Sequence, residues 1–320
     1  MKLRQSASLA HRPDGPVWHV SWSPRGNTLA SCAADRTIRL WTSSTGGGWA
    51  CATVLEEGHQ RTIRWVSWAP CGSLLASCSF DGIAMIWRCD DGEFDCIASL
   101  EGHENEVKAV EWSASGQYIA TCGRDKSVFV WEAEDEQFDV AAVVHSHTQD
   151  VKSVTWHPSE DMLASASYDD TIKIYTQDGD DWRCSQTLSA HSSTVWAVAF
   201  SADGRSLVSC SDDHSVILWK ADSKGQFERA SAQEEAHDRP VYAVDWQKPT
   251  EGENLELIAT AGGDDAVCVL AVSASGQLEV VCRQPKAHKG DVNTVGWNPS
   301  ERLLASGGDD GEIHLWRCEE

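Results

Sequence analysis

Short runs in which apolar and polar residues alternate recur along the whole chain. VWHVSW (17–22), VKAVEW (107–112) and VNTVGW (292–297) are three examples. Each run is followed by a turn, such as SPRG (23–26) or SADG (201–204), and then by a second apolar run. Runs of this length with regular turn residues and no helical period predict an all-β fold.

An eleven-residue frame begins at the end of the second apolar run, and the sequence has seven copies of it. A histidine precedes every copy, and the gaps between successive histidines are 48, 44, 44, 44, 46 and 51 residues. A period of about 40–45 residues with four strands per unit is typical of the blades of a β-propeller. We therefore predict one seven-bladed β-propeller domain spanning residues 1–320. The seven copies are SCAADRTIRLW (31–41), SCSFDGIAMIW (77–87), TCGRDKSVFVW (121–131), SASYDDTIKIY (165–175), SCSDDHSVILW (209–219), TAGGDDAVCVL (260–270) and SGGDDGEIHLW (306–316).

The two ends of the chain fit one incomplete repeat. The last frame ends at Trp316, after a third strand, and only four residues follow it. Residues 2–10 precede the first histidine, at the place of a fourth strand. We expect residues 2–10 to complete the C-terminal blade and close the ring, which also hides an edge strand that would favour aggregation.

Histidine, serine or threonine, aspartate and tryptophan keep a fixed spacing in most repeats. An imidazole can donate to a carboxylate, a hydroxyl both donates and accepts, and an indole N–H only donates. Buried polar groups need partners, so we interpret each set as a hydrogen-bonded clip rather than a catalytic site, since it recurs in nearly every blade. Four of the complete sets are His59, Ser77, Asp81 and Trp87; His103, Thr121, Asp125 and Trp131; His191, Ser209, Asp213 and Trp219; and His288, Ser306, Asp310 and Trp316.

The composition excludes several classes of function. The chain has 49 acidic and 26 basic side chains and a formal net charge of −23. This balance argues against binding to nucleic acid or to a membrane, because both need a positive surface. We expect no signal peptide, because residues 1–14 have no long apolar run, and no stretch approaches the roughly 20 apolar residues of a membrane span. Twelve cysteines without a C-x-x-C pair favour reduced thiols, in the cytoplasm or the nucleus.

Enzyme signatures are missing from the sequence. It contains no G-x-S-x-G, no phosphate-binding glycine loop and no H-E-x-x-H. We therefore expect neither an enzyme nor a cofactor or metal. Cysteines at the second position of four frames, Cys32, Cys78, Cys122 and Cys210, are expected to pack as small buried apolar side chains.

One mouth of the predicted channel combines basic and aromatic residues. The residue before the aspartate of each frame varies, and only Arg124 is basic there; Phe80 and Tyr168 are aromatic. Early positions of the first strands supply cations in three successive blades, and we expect these cations to meet Arg124 in one sector. Such a patch suits an acidic peptide or a terminal carboxylate next to an aromatic residue. The other interpretation is that these are solvated charges, with Arg124 paired to a neighbouring carboxylate. The predicted partner-binding residues are Arg124, Arg64, Lys108, Lys152, Trp18, Phe80, Tyr168, Trp196 and Tyr242.

These features make the chain resemble the WD40-repeat family. Gly58–His59 and Gly102–His103 match the glycine–histidine pair of that family, although no tryptophan is followed by its usual aspartate. The variable segments at 56–72, 99–112 and 146–171 are similar to the WD40 subunit of the cytosolic iron–sulfur cluster assembly machinery.

That resemblance implies a non-catalytic adaptor that helps to deliver 4Fe–4S clusters to cytosolic and nuclear apo-proteins. It also implies four kinds of partner: a HEAT-repeat adaptor protein, a small cysteine-bearing targeting protein, an iron-only-hydrogenase-like cluster carrier and iron–sulfur client proteins. Arg124 occupies the position of a functionally important arginine of those relatives. The alternative is a WD40 substrate receptor of a ubiquitin ligase that binds acidic peptides, although no blade has the W-D-x-R frequent in such receptors.

Overall fold

The computed structural model describes residues 1–11, 15–43, 47–179, 181–248 and 256–319. In these ranges the regular elements are 28 β-strands. The first fourteen are β1 (Lys2–Ala10), β2 (Val17–Trp22), β3 (Thr28–Ala33), β4 (Ile38–Ser43), β5 (Trp49–Leu55), β6 (Ile63–Trp68), β7 (Leu74–Ser79), β8 (Ile83–Asp90), β9 (Glu93–Glu101), β10 (Val107–Trp112), β11 (Tyr118–Gly123), β12 (Val128–Glu134), β13 (Gln137–Val144) and β14 (Val151–Trp156). The others are β15 (Met162–Ser167), β16 (Ile172–Asp178), β17 (Asp181–Leu188), β18 (Val195–Phe200), β19 (Ser206–Ser211), β20 (Val216–Ala221), β21 (Phe227–Gln233), β22 (Val241–Trp246), β23 (Leu257–Gly262), β24 (Val267–Val272), β25 (Leu278–Gln284), β26 (Val292–Trp297), β27 (Leu303–Gly308) and β28 (Glu312–Glu319).

The strands form seven antiparallel sheets of four strands each. Blades one to six follow the chain order, from β2-β3-β4-β5 to β22-β23-β24-β25, and blade seven has the order β26-β27-β28-β1. The innermost strands β2, β6, β10, β14, β18, β22 and β26 contact one another in a closed circle. The predicted all-β, seven-bladed propeller is therefore confirmed.

The N-terminal strand closes the ring. β1 runs antiparallel to β28, with Lys2 opposite Glu319 and Ala10 opposite Glu312. Its two inward-facing leucines, Leu3 and Leu9, are buried. Leu9 packs with residues of blades seven and one. The two ends of the chain thus complete one sheet.

The apolar core lies between neighbouring blades. One cluster joins Ala76 and Ile86 of blade two to Val110 and Ile119 of blade three, all of which are fully buried. Similar clusters fill the other gaps between blades. Burying an aliphatic side chain of this size contributes about 1.5–3 kcal/mol, so each blade is stabilised by both of its neighbours.

In each clip, hydrogen bonds join the loop that carries the histidine to the second and third strands of the blade. In blade two the Trp87 indole N–H donates to Ser77 Oγ at 2.8 Å. Ser77 Oγ lies 2.8 Å from His59 Nε2, and His59 Nδ1 lies 3.0 Å from Asp81 Oδ2. The geometry fits a directed chain in which serine donates to imidazole and imidazole donates to aspartate. The Asp81 carboxylate also accepts the backbone N–H of Gln60 at 2.9 Å.

The clips of blades three, five and seven have the same connections, with distances between 2.7 and 2.9 Å. In blade four, Tyr175 replaces the tryptophan and its hydroxyl lies 3.1 Å from Ser165 Oγ. Leu270 leaves blade six without a donor at this position, but His237 still contacts Thr260 and Asp264 at 2.9 and 2.8 Å. The histidine, hydroxyl and aspartate of the clip therefore stay connected without the donor of the third strand.

The aspartates of the clips are held in their charged form. Burial by itself would raise the pKa of Asp125, but hydrogen bonds from His103 and Ser127 outweigh it and lower the pKa to about 2. Hydrogen bonds to the charged form of a carboxyl group have this effect in general. The clips thus favour folding whenever the pH is above the ordinary range of a carboxyl group.

Closure by β1 predicts that this strand supports the whole ring. We expect Leu9→Ala to lower the free energy of unfolding by about 2–5 kcal/mol, because it leaves a cavity between blades seven and one. Deletion of residues 1–10 should destabilise the protein further. Urea unfolding followed by tryptophan fluorescence measures both effects. Arg4→Ala on the exposed face of β1 is the control and should change the free energy by less than about 0.5 kcal/mol. Unchanged unfolding of Leu9→Ala would contradict this model of closure.

The clip of blade two predicts a cost for removing its central hydroxyl. Ser77→Ala leaves His59 and Trp87 with unpaired polar atoms, and each buried group of this kind costs about 1–3 kcal/mol. We expect a lower midpoint of thermal unfolding, measured by circular dichroism. Ser99→Ala, on the exposed outer strand of the same blade, removes the same atom and should leave the midpoint unchanged. Equal midpoints for the two variants would show that the clip is not stabilising.

Candidate partner-binding site at the mouth of the channel

A β-bulge opens the innermost strand of every blade. The register shifts across the second residue of the strand, which therefore has no opposite residue on the next strand. A bulge of this kind bends the strand and changes the direction of the side chain. The seven residues at the bulges are Trp18, Arg64, Lys108, Lys152, Trp196, Tyr242 and Asn293. They are the early first-strand positions that the sequence placed at one mouth of the channel.

Lys152 is the most enclosed cation of this ring. The residue is only 8% exposed. Its Nζ lies 3.4 Å from the centroid of the Tyr168 ring and 4.8 Å from that of Trp196. The Trp196 indole N–H donates to Asp212 Oδ1 at 2.9 Å, which fixes the ring. Trp196 also meets Tyr168 and Tyr242 edge to face, at 5.9 and 5.2 Å between centroids. The ammonium group is thus held in a rigid aromatic cage.

Two further cations lie on aromatic rings in the preceding blades. Lys108 Nζ is 4.1 Å from the centroid of the Phe80 ring. The Arg64 guanidinium lies 5.2 Å from the centroid of Trp18 and 5.9 Å from that of Trp65. Arg64 also donates to the backbone oxygen of Trp18 at 3.3 Å. Cations and rings therefore alternate around this sector of the mouth.

Among the described residues, Arg64, Lys108 and Lys152 have no carboxylate oxygen within the 4.0 Å of an ion pair. Asp150 acts on both lysines only from a longer distance. A cation that is taken out of water without a partner costs several kcal/mol. Aromatic faces recover only about 0.5–2 kcal/mol of this per contact. Within the described residues, the burial of these three cations is therefore only partly compensated.

Arg124 differs from these three cations. Its side chain is 58% exposed, and its NH1 lies 3.2 Å from Glu106 Oε2. Arg61 approaches the same carboxylate to 3.6 Å. Of the two interpretations of Arg124, the ion pair with a neighbouring carboxylate is thus present. Arg124 still acts electrostatically on Lys108, which places it beside the cationic sector. A surface pair of this kind contributes only about 0–1 kcal/mol, so a ligand could compete for the guanidinium.

The positive charges at the mouth lower the pKa of Lys108 and that of Lys152. Burial, together with the charges of Lys108 and Arg64, lowers the pKa of Lys152 to about 7 against the opposing effect of Asp150. Burial also lowers the pKa of Lys108 and that of Arg64. A bound anion would have the reverse effect, since an opposite charge favours the charged form.

The other half of the mouth is neutral to acidic. The Tyr242 hydroxyl donates to Asp291 Oδ2 at 3.2 Å, and burial together with this carboxylate raises its pKa to about 12. Asn293 donates to Asp309 Oδ1 at 2.9 Å. Tyr242 was grouped with the partner-binding residues from the sequence, and it does contact Trp196 on the edge of the cationic sector. The mouth thus has one cationic and one acidic side.

A central cavity of about 470 Å³ lies along the channel. Arg64 and Tyr242 line it, and so do two carboxyl groups that the sequence analysis did not single out, Glu111 and Asp245. Burial, and then Asp245, raise the pKa of Glu111 to about 8. Burial likewise raises the pKa of Asp245 to about 6, although its carboxylate accepts the backbone N–H of Trp297 at 2.6 Å. Asp245 thereby links blade six to blade seven.

Neither a cluster of metal ligands nor a long apolar helix occurs within the described ranges. No group of three or more histidine, cysteine, aspartate or glutamate side chains is placed to hold a metal ion. No helix there is long and apolar enough to cross a membrane. The frame cysteines Cys32, Cys78, Cys122 and Cys210 are fully buried, as expected for packing residues.

Two family models match this chain. The model described as WD domain, G-beta repeat matches residues 4–42, 49–88, 94–132 and 279–317. The model described as IFT140 first beta-propeller matches residues 134–271. The WD40 matches fall on blades one, two, three and seven, and the second model falls on the blades between them.

Three relatives of this chain are described as probable cytosolic iron-sulfur protein assembly proteins. The protein of this description from Xenopus tropicalis is 59% identical over 93 residues, which are 29% of this chain and 28% of the relative. The one from Homo sapiens is 60% identical over 89 residues, or 28% and 26% of the two chains. One from Salmo salar is 56% identical over 52 residues, or 16% and 15%. Each alignment spans less than a third of the relative's length. The chain is a seven-bladed β-propeller with WD40 repeats, and it has segments similar to those cytosolic iron–sulfur assembly proteins.

Proposed function

We propose that this chain is a non-catalytic adaptor of cytosolic iron–sulfur protein assembly that captures acidic segments of its partners at the cationic side of its mouth. One observation carries the proposal. Arg64, Lys108 and Lys152 are held on aromatic rings without a carboxylate partner among the described residues. An acidic segment would supply the missing anions, and its apolar or aromatic side chains would find the same rings.

The similarity to the iron–sulfur assembly proteins supports the choice of pathway. Adaptor work needs a rigid scaffold with several separate surfaces, and a ring of seven blades provides them. The proposed partners are the four kinds implied by the resemblance: a HEAT-repeat adaptor, a small cysteine-bearing targeting protein, an iron-only-hydrogenase-like carrier and the iron–sulfur clients. The proposed location is the cytoplasm and, with the nuclear clients, the nucleus. The 4Fe–4S cluster is the cargo in this proposal and not a resident cofactor.

Affinity purification followed by mass spectrometry tests the pathway. We expect the tagged chain to recover a HEAT-repeat protein together with iron–sulfur proteins. A variant with Arg64→Gln, Lys108→Gln and Lys152→Gln lacks the three cations of the proposed site. It should lose those partners that carry acidic segments. Recovery of cullin subunits without any HEAT-repeat or iron–sulfur protein would instead favour the ubiquitin-ligase receptor.

The exposed position of Arg124 predicts that its role in binding can be separated from stability. We expect Arg124→Glu to weaken binding of a fluorescein-labelled hexapeptide, Gly-Ser-Glu-Asp-Glu-Trp with a free carboxylate, by about tenfold or more. The reason is that a charge-assisted contact of about 1.5–3 kcal/mol becomes a repulsion. Fluorescence anisotropy measures the dissociation constant, and differential scanning fluorimetry should show nearly unchanged melting.

Lys126→Glu is the matched control for this variant. Lys126 is exposed and lies in the same turn, so its replacement changes the net charge equally. Peptide binding should change much less than in Arg124→Glu. A large loss of thermal stability in Arg124→Glu would make the arginine structural, and equal weakening by both variants would reduce the effect to overall charge.

A further inference from the structure

We propose that Lys152 determines the specificity of the cationic site by taking up a proton as an anionic group binds, so that capture weakens in alkaline solution. This inference rests on the proposed function for its biological ligand, an acidic peptide segment. It goes beyond that function because it assigns a separate contact to one buried lysine beside the exposed Arg124, and because it couples capture to pH.

The geometry around Lys152 is that of a prepared anion site. More than nine tenths of the residue is buried, and its Nζ forms no hydrogen bond or ion pair with the described residues. Tyr168 and Trp196 hold the ammonium group from two sides, and the bond from Trp196 to Asp212 keeps the cage rigid. A rigid cage lowers the entropy that a ligand must remove on binding. Lys152 therefore offers its charge in a fixed direction.

The charged neighbours of Lys152 come from each element packed against it. Lys108 on β10 and Arg64 on β6 are cationic and disfavour its charge, while Asp150 before β14 opposes them. The Cys122 thiol on β11 is buried, and burial raises its pKa, so it is neutral near pH 7. Burial and the charges of Asp150 and Asp212 raise the pKa of the Tyr168 phenol, which is neutral as well. The cations dominate, so the empty site holds its proton weakly.

Proton linkage then sets the direction of the pH dependence. The pKa of Lys152 in the free protein is about 7, and an adjacent anion raises it. Between the free and the bound pKa, the complex holds one proton more than the free protein. The association constant therefore falls by up to about tenfold for each pH unit above 7 until the bound pKa is reached. Below pH 7 Lys152 is protonated in both states, and its contribution to affinity is constant.

Anisotropy titrations of the same hexapeptide between pH 6 and pH 9 test this coupling. We expect the dissociation constant of the natural sequence to rise by about tenfold or more between pH 7 and pH 9. Lys152→Arg should remove this dependence, because a guanidinium stays charged throughout the range. Lys152→Met, which keeps the apolar stem, should bind weakly and independently of pH. Lys152→Met also tests the proposal if the larger guanidinium of Lys152→Arg does not fit between the aromatic rings.

Lys108→Arg is the matched control, since it fixes the charge of the other caged lysine and should retain the pH dependence. A flat profile for the natural sequence would overturn the proposal. So would a dependence that persists in Lys152→Arg, since another group would then carry the proton.

A second readout separates this inference from the proposed function. In protein labelled with ¹³Cε-lysine, the Lys152 signal is assigned by its absence from Lys152→Arg. We expect its chemical shift to titrate with a midpoint near pH 7 and the midpoint to rise when sulfate is added as a probe anion. If the hexapeptide fails to bind, the proposed function fails, and this titration still decides the role of Lys152. A midpoint above pH 9, or one that sulfate does not move, would overturn it.

Discussion

The buried hydroxyl on the second strand of each blade holds the clip together. In blade two, Ser77 accepts the indole N–H of Trp87 and bonds to His59, which in turn bonds to Asp81. One small side chain therefore connects the third strand, the second strand and the loop that enters the blade. Because buried polar groups are costly when unpaired, the whole set forms together. The loops at the mouth are consequently held on a fixed frame.

That frame holds the mouth, where three cations have no carboxylate partner within ion-pair distance among the residues that the structure describes. A bulge at the second position of each innermost strand frees one residue per blade from strand pairing. In blades two, three and four those residues are cations, and aromatic rings from neighbouring positions keep Lys108 and Lys152 in place. A flexible surface would let these side chains move apart into water. The stability of the clips and of the closed ring thus offsets the cost of burying these cations.

Most of the fold and part of the site followed from the repeat. The period gave the number of blades, and the position of residues 2–10 gave the pairing of β1 with β28. The sequence also grouped Arg64, Lys108 and Lys152, since they occupy the same position in successive repeats. From the sequence, Arg124 was the most prominent candidate, because it is the one basic residue that precedes the aspartate in the seven frames. In the structure Arg124 is paired with Glu106, and Lys152 is the enclosed cation.

The difference has a physical reason. Alternation of apolar residues and the period of the repeats are local properties, so the sequence by itself determined the strands, the blades, their closure and the residue types of the clips. The burial of Lys152 depends instead on Tyr168 and Trp196, and Trp196 belongs to the next blade. Burial raises the pKa of both Glu111 and Asp245, and Asp245 of blade six adds to the effect on Glu111 of blade three. Distances between blades follow from closure of the ring, so only the tertiary structure decided which charges stand unpaired.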